Sequence, residues 1–200
     1  MMLRWQRSMT GSKIISSDDN RCLMTKQLTD FIRTIPDYPK KGILFRDITS
    51  LLNNPEGLKM AIDQLAERYK GQKIDHIAAI DSRGFLFAAP LAYLTGAGLV
   101  LIRKKGKLPR EVFSEDYDLE YGSNTLEIHT DDIRPGDRVL LVDDLIATGG
   151  SAEAAVKLIR RCGGDIVECA FIIELPALKG KEKLAKLGCR SYALCQFEGD

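Results

Sequence analysis

The chain has 200 residues, with 29 Lys and Arg against 28 Asp and Glu and a formal net charge of +1. That length suits one domain with a sizeable core, and 44% hydrophobic with 28% charged residues is an ordinary soluble composition. Near-neutrality removes any whole-chain electrostatic case for nucleic acid, and no apolar run approaches a membrane span.

Residues 1–17 lack acids, carry Arg4, Arg7 and Lys13 and are rich in Ser, a faint likeness to an organellar presequence. The apolar core of a secretory signal is missing, and Asp18 and Asp19 break the pattern. Residues 1–24 therefore read as a dispensable, disordered extension with Met24 as the natural start. Residues 25–200 read as a single domain. Residues 25–35 place Leu28, Phe31, Ile32 and Ile35 on one helical face, ended by Pro36 and Pro39. Residues 55–70 predict a second helix, with Pro55 in its first turn and Leu58, Ile62, Leu65 and Ala66 on one stripe. A strand over Ile74–Ile80 ends at Asp81. A helix over Phe85–Leu94 is closed by Gly96 and Gly98, and a strand follows at Leu99–Ile102.

Residues 103–123 are charged, punctuated by Gly and Pro and weakly patterned, the character of a lid loop. Short strands follow at Leu126–Ile128 and Val139–Val142. The helix over Ser151–Cys162 places Ala155, Val156, Ile159 and Cys162 on one face, and Gly163-Gly164 caps it. A strand at Val167–Ile173, a helix at Lys179–Leu187 and a strand at Ser191–Phe197 complete the chain. The alternation predicts an α/β fold, an open, mostly parallel twisted sheet with helices on both faces. Five cysteines (Cys22, Cys162, Cys169, Cys189, Cys195) are scattered without a C-x-x-C pair. They read as free thiols in a reducing cytosol, not as a zinc or redox motif.

Four segments carry candidate chemistry. Residues 139–151 read Val-Leu-Leu-Val-Asp-Asp-Leu-Ile-Ala-Thr-Gly-Gly-Ser, a buried strand, an acidic pair and a small-residue loop opening a helix. Ligands of open α/β sheets sit beyond the C-terminal strand ends. Asp143 and Asp144 there suit a polyol such as ribose. The backbone of Ala147, Thr148, Gly149, Gly150 and Ser151 suits a phosphate at a helix N-terminus. Walker and Rossmann loops are excluded by the lack of a following Lys and of G-x-G-x-x-G. An ordinary turn with Ser151 as N-cap would add about 1 kcal/mol and leave the two acids unexplained. Asp81-Ser82-Arg83-Gly84, again between strand and helix, suits pyrophosphate. Arg103, Lys104, Lys105, Lys107 and Arg110 place five cations in eight residues. Leu44-Phe45-Arg46 is apolar and aromatic, a composition more often core than site. His76 and His129 fall in no catalytic spacing and read as structural.

These blocks resemble the motifs of the type I phosphoribosyltransferase family, and of its adenine-using members in particular. Asp37-Tyr38-Pro39, the run from Gly42 to Thr49, Asp81 to Phe87, Arg103 to Pro109, Tyr117 to Gly122 and the 139–151 block occur in the family's order. The likeness runs from about residue 27 to 197. It implies the family's fold, with a small N-terminal hood and a mobile lid, and a cis bond between Asp81 and Ser82. It implies purine salvage: transfer of 5-phosphoribosyl from phosphoribosyl pyrophosphate to adenine, giving AMP and pyrophosphate. Asp143 and Asp144 would hold the ribose, and Glu120 would be the general acid/base near N7 of the base, with Tyr121 beside it. Residues 147–151 would hold the 5-phosphate. Asp81, Ser82, Arg83, Arg103, Lys104 and Lys107 would bind pyrophosphate. Leu44, Phe45, Arg46, Arg83 and Leu175 would surround adenine. Mg2+ would be held mainly by substrate and water, not directly by protein side chains. A cytoplasmic homodimer, with Lys104 reaching the neighbouring subunit's pyrophosphate and no nucleic acid or membrane partner, is also implied. Two other readings stay open at this point. One is transfer to hypoxanthine, guanine or xanthine; the other is a regulator that senses phosphoribosyl pyrophosphate and binds nucleic acid.

Overall fold

The computed structural model describes residues 26–118 and 123–199. A 3-10 turn at Leu28–Phe31 leads into an antiparallel ribbon of β1 (Arg33–Pro36) and β2 (Leu44–Asp47). Helices α1 (Ile48–Leu52) and α2 (Pro55–Tyr69) follow. Then come β3 (His76–Ile80), α3 (Gly84–Thr95), β4 (Gly98–Lys104), β5 (Val112–Asp118), β6 (Ser123–His129) and β7 (Arg138–Ile146). The chain ends with α4 (Gly150–Arg161), β8 (Asp165–Glu174), α5 (Gly180–Lys186) and β9 (Ser191–Gln196). The strands from β3 onward form one seven-stranded sheet in the order β5-β6-β4-β3-β7-β8-β9. The five from β4 to β9 are parallel, and β6 and β5 add an antiparallel edge.

Alternation along the central strands builds the core on both faces. Ala78 and Ile80 of β3 and Val139 and Leu141 of β7 join a cluster with Ala155, Val156 and Ile159 of α4. Their neighbours Ile77, Ala79, Leu140 and Val142 join a second cluster with α1, α2 and α3. Local signals fix the helix ends. Asn54 caps α2 by accepting from Glu56 and Gly57 amides, with Pro55 in the first turn, and Gly96 ends α3 at φ 71°. Across the second cluster, buried Glu168 of β8 accepts two hydrogen bonds from Arg68, at 2.8 and 2.9 Å, and one from the Tyr69 hydroxyl at 2.7 Å. This pins the end of α2 to the sheet.

The structure departs from the sequence expectations in three places. The helix expected over residues 25–35 is a short 3-10 turn followed by strand β1. Eleven residues are marginal for an isolated helix, and β-branched Ile32, Thr34 and Ile35 before Pro36 favour extension. The loop expected over 103–123 contains strand β5, which pairs with a β6 longer than expected. Its inward positions include charged Glu115, which ion-pairs with Lys157 of α4 at 3.2 Å, so no apolar alternation marks it. The strand expected to stop at Val142 continues through Ile146. Residues 1–24, Glu120 and Tyr121 lie outside the described residues. No helix among the described residues is long and apolar enough to cross a membrane.

Candidate active site

β3 hands the chain to its left-hand neighbour β4 through α3, whereas β7 hands it rightward to β8 through α4. The two strands are thus the switch point of the sheet, where open α/β folds bind ligands. Their pairing ends at Ala79 with Val142, while β7 goes on pairing with β8 as far as Ile146. From Asp143 onward, β7 has no partner on the β3 side. Into that gap opens a cavity of about 540 Å³. Asp81, Ser82 and Arg83 line one side and Asp143 and Asp144 the floor. The loop from Ala147 to Ser151 forms the other side, and Lys104, Tyr117 and Asp118 flank it. The peptide bond between Asp81 and Ser82 is cis, as the resemblance implies.

The 147–151 loop is shaped to leave amides free. Gly149, not Ser151, is the N-cap of α4, in the left-handed region at φ 78°, and no side chain caps the helix. First-turn N–H groups with no side-chain acceptor, at the positive end of the helix dipole, form an anion site. Gly149 is required twice over, since a Cβ there would also come within 2.9 Å of the Gly180 carbonyl oxygen. Gly180 opens α5, so that helix buttresses the loop from behind.

The acidic pair is buried, with Asp143 8% and Asp144 4% exposed. Burial first, and the charge of Asp144 second, push the Asp143 carboxyl well above the usual carboxylate range. Burial also raises Asp144, opposed by the Arg83 guanidinium, whose Nε lies 2.7 Å from Asp144 Oδ2. Asp143 Oδ1 accepts from the Asp144 amide at 2.9 Å. The Tyr117 hydroxyl is also raised, by burial and then by the Asp143 charge. The result is a pair of oxygen acceptors under a cationic rim. That suits a hydroxylated, phosphorylated substrate carrying developing positive charge.

A model of the phosphoribosyl transferase domain matches residues 47–192. The adenine phosphoribosyltransferase of Nitrosospira multiformis is 57% identical over 174 residues, covering 87% of this chain and 99% of its own. The chain belongs to the adenine phosphoribosyltransferase family. A crystal structure of the family's enzyme from Thermoanaerobacter pseudethanolicus aligns at TM-score 0.80 and 48% identity, covering 85% of this chain and 98% of that one. The Saccharomyces cerevisiae enzyme, complexed with an imino-altritol bisphosphate and adenine, aligns at TM-score 0.77 and 41% identity, covering 84% and 96%. The mostly parallel sheet and its flanking helices are those of the type I phosphoribosyltransferase fold.

Within this adenine phosphoribosyltransferase fold, the remaining sequence-predicted residues fall into two groups. Arg103 and Lys107 stand outside the cavity lining: the Arg103 Nε meets Asp81 Oδ2 at 3.1 Å, and its Nη1 donates to the Lys107 carbonyl at 3.4 Å. Leu44, Phe45 and Arg46 lie on β2, beside the sheet. Phe45 meets the Tyr38 ring edge-on at 5.1 Å. Leu44, Phe45, Arg46 and Leu175 are not among the residues that line the cavity, although the Leu175 amide donates to the carbonyl of Ile146, a lining residue. His76 pairs with Asp137 at 3.0 Å, at the opposite end of β3 from the cavity. Cys162, Cys169, Cys189 and Cys195 are free thiols, and Cys22 lies outside the described residues. Tyr117 and Asp118, to which the sequence pattern assigns no individual role, line the cavity beside Gly150. The half-buried, exposed, half-buried rhythm of Glu115, Asp116 and Tyr117 marks that strand. No group of three or more His, Cys, Asp or Glu that could hold a metal occurs among the described residues.

Proposed function

We propose that the chain transfers the 5-phosphoribosyl group of phosphoribosyl pyrophosphate to N9 of adenine, releasing pyrophosphate and forming AMP in purine salvage. The observation that carries this reading is the convergence of four segments on one cavity: a helix N-terminus for the 5-phosphate, an acidic pair for the ribose, and the Asp81–Arg83 turn with Lys104 for the diphosphate. Arg103 would act by holding Asp81, and Lys107 from the rim. In the reaction, the bond from ribose C1′ to the diphosphate oxygen breaks and the bond from C1′ to N9 forms. C1′ carries cationic character between the two. Asp143 and Asp144 bind the ribose hydroxyls and place negative charge beside that centre. Glu120 takes up the proton lost by the purine, acting at N7. Leu44, Phe45, Arg46, Arg83 and Leu175 position the base, and the apolar and aromatic character of the segment suits a flat purine. The yeast relative's complex with adenine supports this choice of base.

The donor set fits a magnesium ion held chiefly by substrate. Mg2+ prefers oxygen and retains waters, and Asp143 and Asp144 would be the protein groups that hold it indirectly, with substrate and water supplying its direct contacts. When bound, it would neutralise charge on the departing diphosphate. The segment expected as a lid over 103–123 includes β5, and its closure would exclude water from the ribosyl centre. The active form is a homodimer: Leu86, Tyr93 and Leu94 of α3 are 49%, 87% and 54% exposed, an apolar face that a second copy would cover. Four free thiols suit a reducing cytoplasm.

The acidic pair gives the most specific test. Asp144→Asn is expected to raise the KM for phosphoribosyl pyrophosphate about tenfold or more, the loss of roughly one charge-assisted hydrogen bond, with adenine KM little changed. Wild-type kinetics in this variant would remove the ribose assignment.

A further inference from the structure

The Arg46 side chain is engaged by residues 198 and 199. It is 8% exposed, and no carboxylate among the described residues forms an ion pair with it. Nη1 donates to Thr34 Oγ1 at 2.6 Å, and Nη2 donates to the carbonyl oxygens of Glu198 and Gly199 at 3.0 and 3.5 Å. The guanidinium carbon lies 4.7 Å from the Phe197 ring centroid. Nε is buried without a partner among the described residues. Leu44 lies close to the same tail: a Cβ added at Gly199 would stand 3.9 Å from Leu44 Cδ1. The tail is itself anchored to the base side of the site, since the Phe197 amide donates to the Glu174 carbonyl at 3.1 Å, next to Leu175.

We infer that residues 197–199 are a positioning element for the purine, held by Arg46 and holding β2 in register for the base. This rests on the assignment of Leu44, Phe45, Arg46 and Leu175 to adenine. A two-stranded ribbon is marginal on its own, so β1 and β2 depend on tethers to the rest of the molecule. Base recognition by Leu44, Phe45 and Arg46 demands placement of β2 to about half an ångström. A buried guanidinium is costly unless its donors are met, and the tail supplies two of the three acceptors to which Arg46 donates. Without the tail, Arg46 must leave its site, and Leu44–Arg46 would shift with it. The phosphate loop, the acidic pair and the Asp81–Arg83 turn stand on different elements and keep their geometry. The tail therefore governs affinity for the base and not for the sugar donor.

The test uses the full chain, a deletion of residues 198–200, and the variants Arg46→Met and Arg46→Lys. Initial rates give separate KM values for adenine and for phosphoribosyl pyrophosphate. Hydrogen exchange gives the protection of residues 44–47. The deletion and Arg46→Met are expected to raise adenine KM about five- to tenfold, the loss of one or two hydrogen bonds, with the donor KM and kcat unchanged. Arg46→Lys, which can still donate to a carbonyl, recovers part of the loss. Exchange at 44–47 is faster in the deletion. An unchanged adenine KM overturns the inference. So does a parallel rise of both KM values with a lowered melting temperature, which would make the tail a general stabiliser. A full chain that forms no AMP from adenine refutes the base assignment instead; exchange at 44–47 then decides the tether by itself, and unchanged protection overturns it.

Discussion

Asp143 shows how a single residue is set against stability by its task. Its carboxyl is buried and its pKa is raised, so its ionised form is unfavourable in the folded chain. The unfolded chain releases this proton near pH 4. The native state therefore gains relative stability below that value and loses it as pH rises through the raised native pKa. Asp143→Asn keeps an acceptor for the Asp144 amide and removes the buried charge. At neutral pH it should raise Tm by about 2–4 °C, equivalent to about 1 kcal/mol in a chain of this size. The gain should shrink toward about pH 4, while turnover falls. A series of thermal melts across pH checks this; a lower Tm at neutral pH would contradict it. Glu120 is the other residue with a separable role. Glu120→Gln should lower kcat about a hundredfold, the lower range for general acid/base assistance, with both KM values little changed. Steady-state rates read this directly, and an unchanged kcat would remove the role.

Among the elements, α5 is the unexpected support of the site. A Cβ at Gly180 would collide with the Ala147 carbonyl oxygen and meet Ile146 Cγ1 at 2.7 Å, so the phosphate loop has no room to yield. Overpacking of this kind costs about 1–3 kcal/mol. Gly180→Ala should appear as a rise in KM for phosphoribosyl pyrophosphate with adenine KM preserved; equal KM values in variant and wild type would show that α5 is not a buttress. The sequence reveals the elements unevenly. Buried parallel strands such as Val139–Val142 are apolar runs, and α2 and α4 carry an apolar stripe with a glycine or asparagine at an end, so both classes are legible. Strand β5 is not, because Glu115 occupies an inward position and is neutralised by a lysine from α4, 42 residues later. The 25–35 segment is misread for a related reason. Leu28 and Ile32 are indeed buried, but in a tight turn whose onward path is set by pairing with β2.

At the scale of the molecule, the motifs 81–84 and 143–151 are legible because chemistry and position coincide: acids, hydroxyls and glycines follow apolar strands. Their convergence is not legible, because it depends on β3 ending its pairing with β7 at Val142. Nor is the tail's contact with Arg46, which spans more than 150 positions of sequence. The exposed face of α3 adds a prediction about assembly. Leu86→Asp should convert a dimer to a monomer in sedimentation equilibrium, and a variant that stays dimeric would place the interface elsewhere. Deletion of residues 1–24 should leave kcat and both KM values intact, and loss of activity would assign that segment a role. The central claim, a transferase that selects adenine, is met most directly by parallel assays of nucleotide formation from phosphoribosyl pyrophosphate with adenine, hypoxanthine and guanine. The account predicts AMP from adenine and no comparable product from the other two. Efficient IMP or GMP formation, or no product from any base, would contradict it.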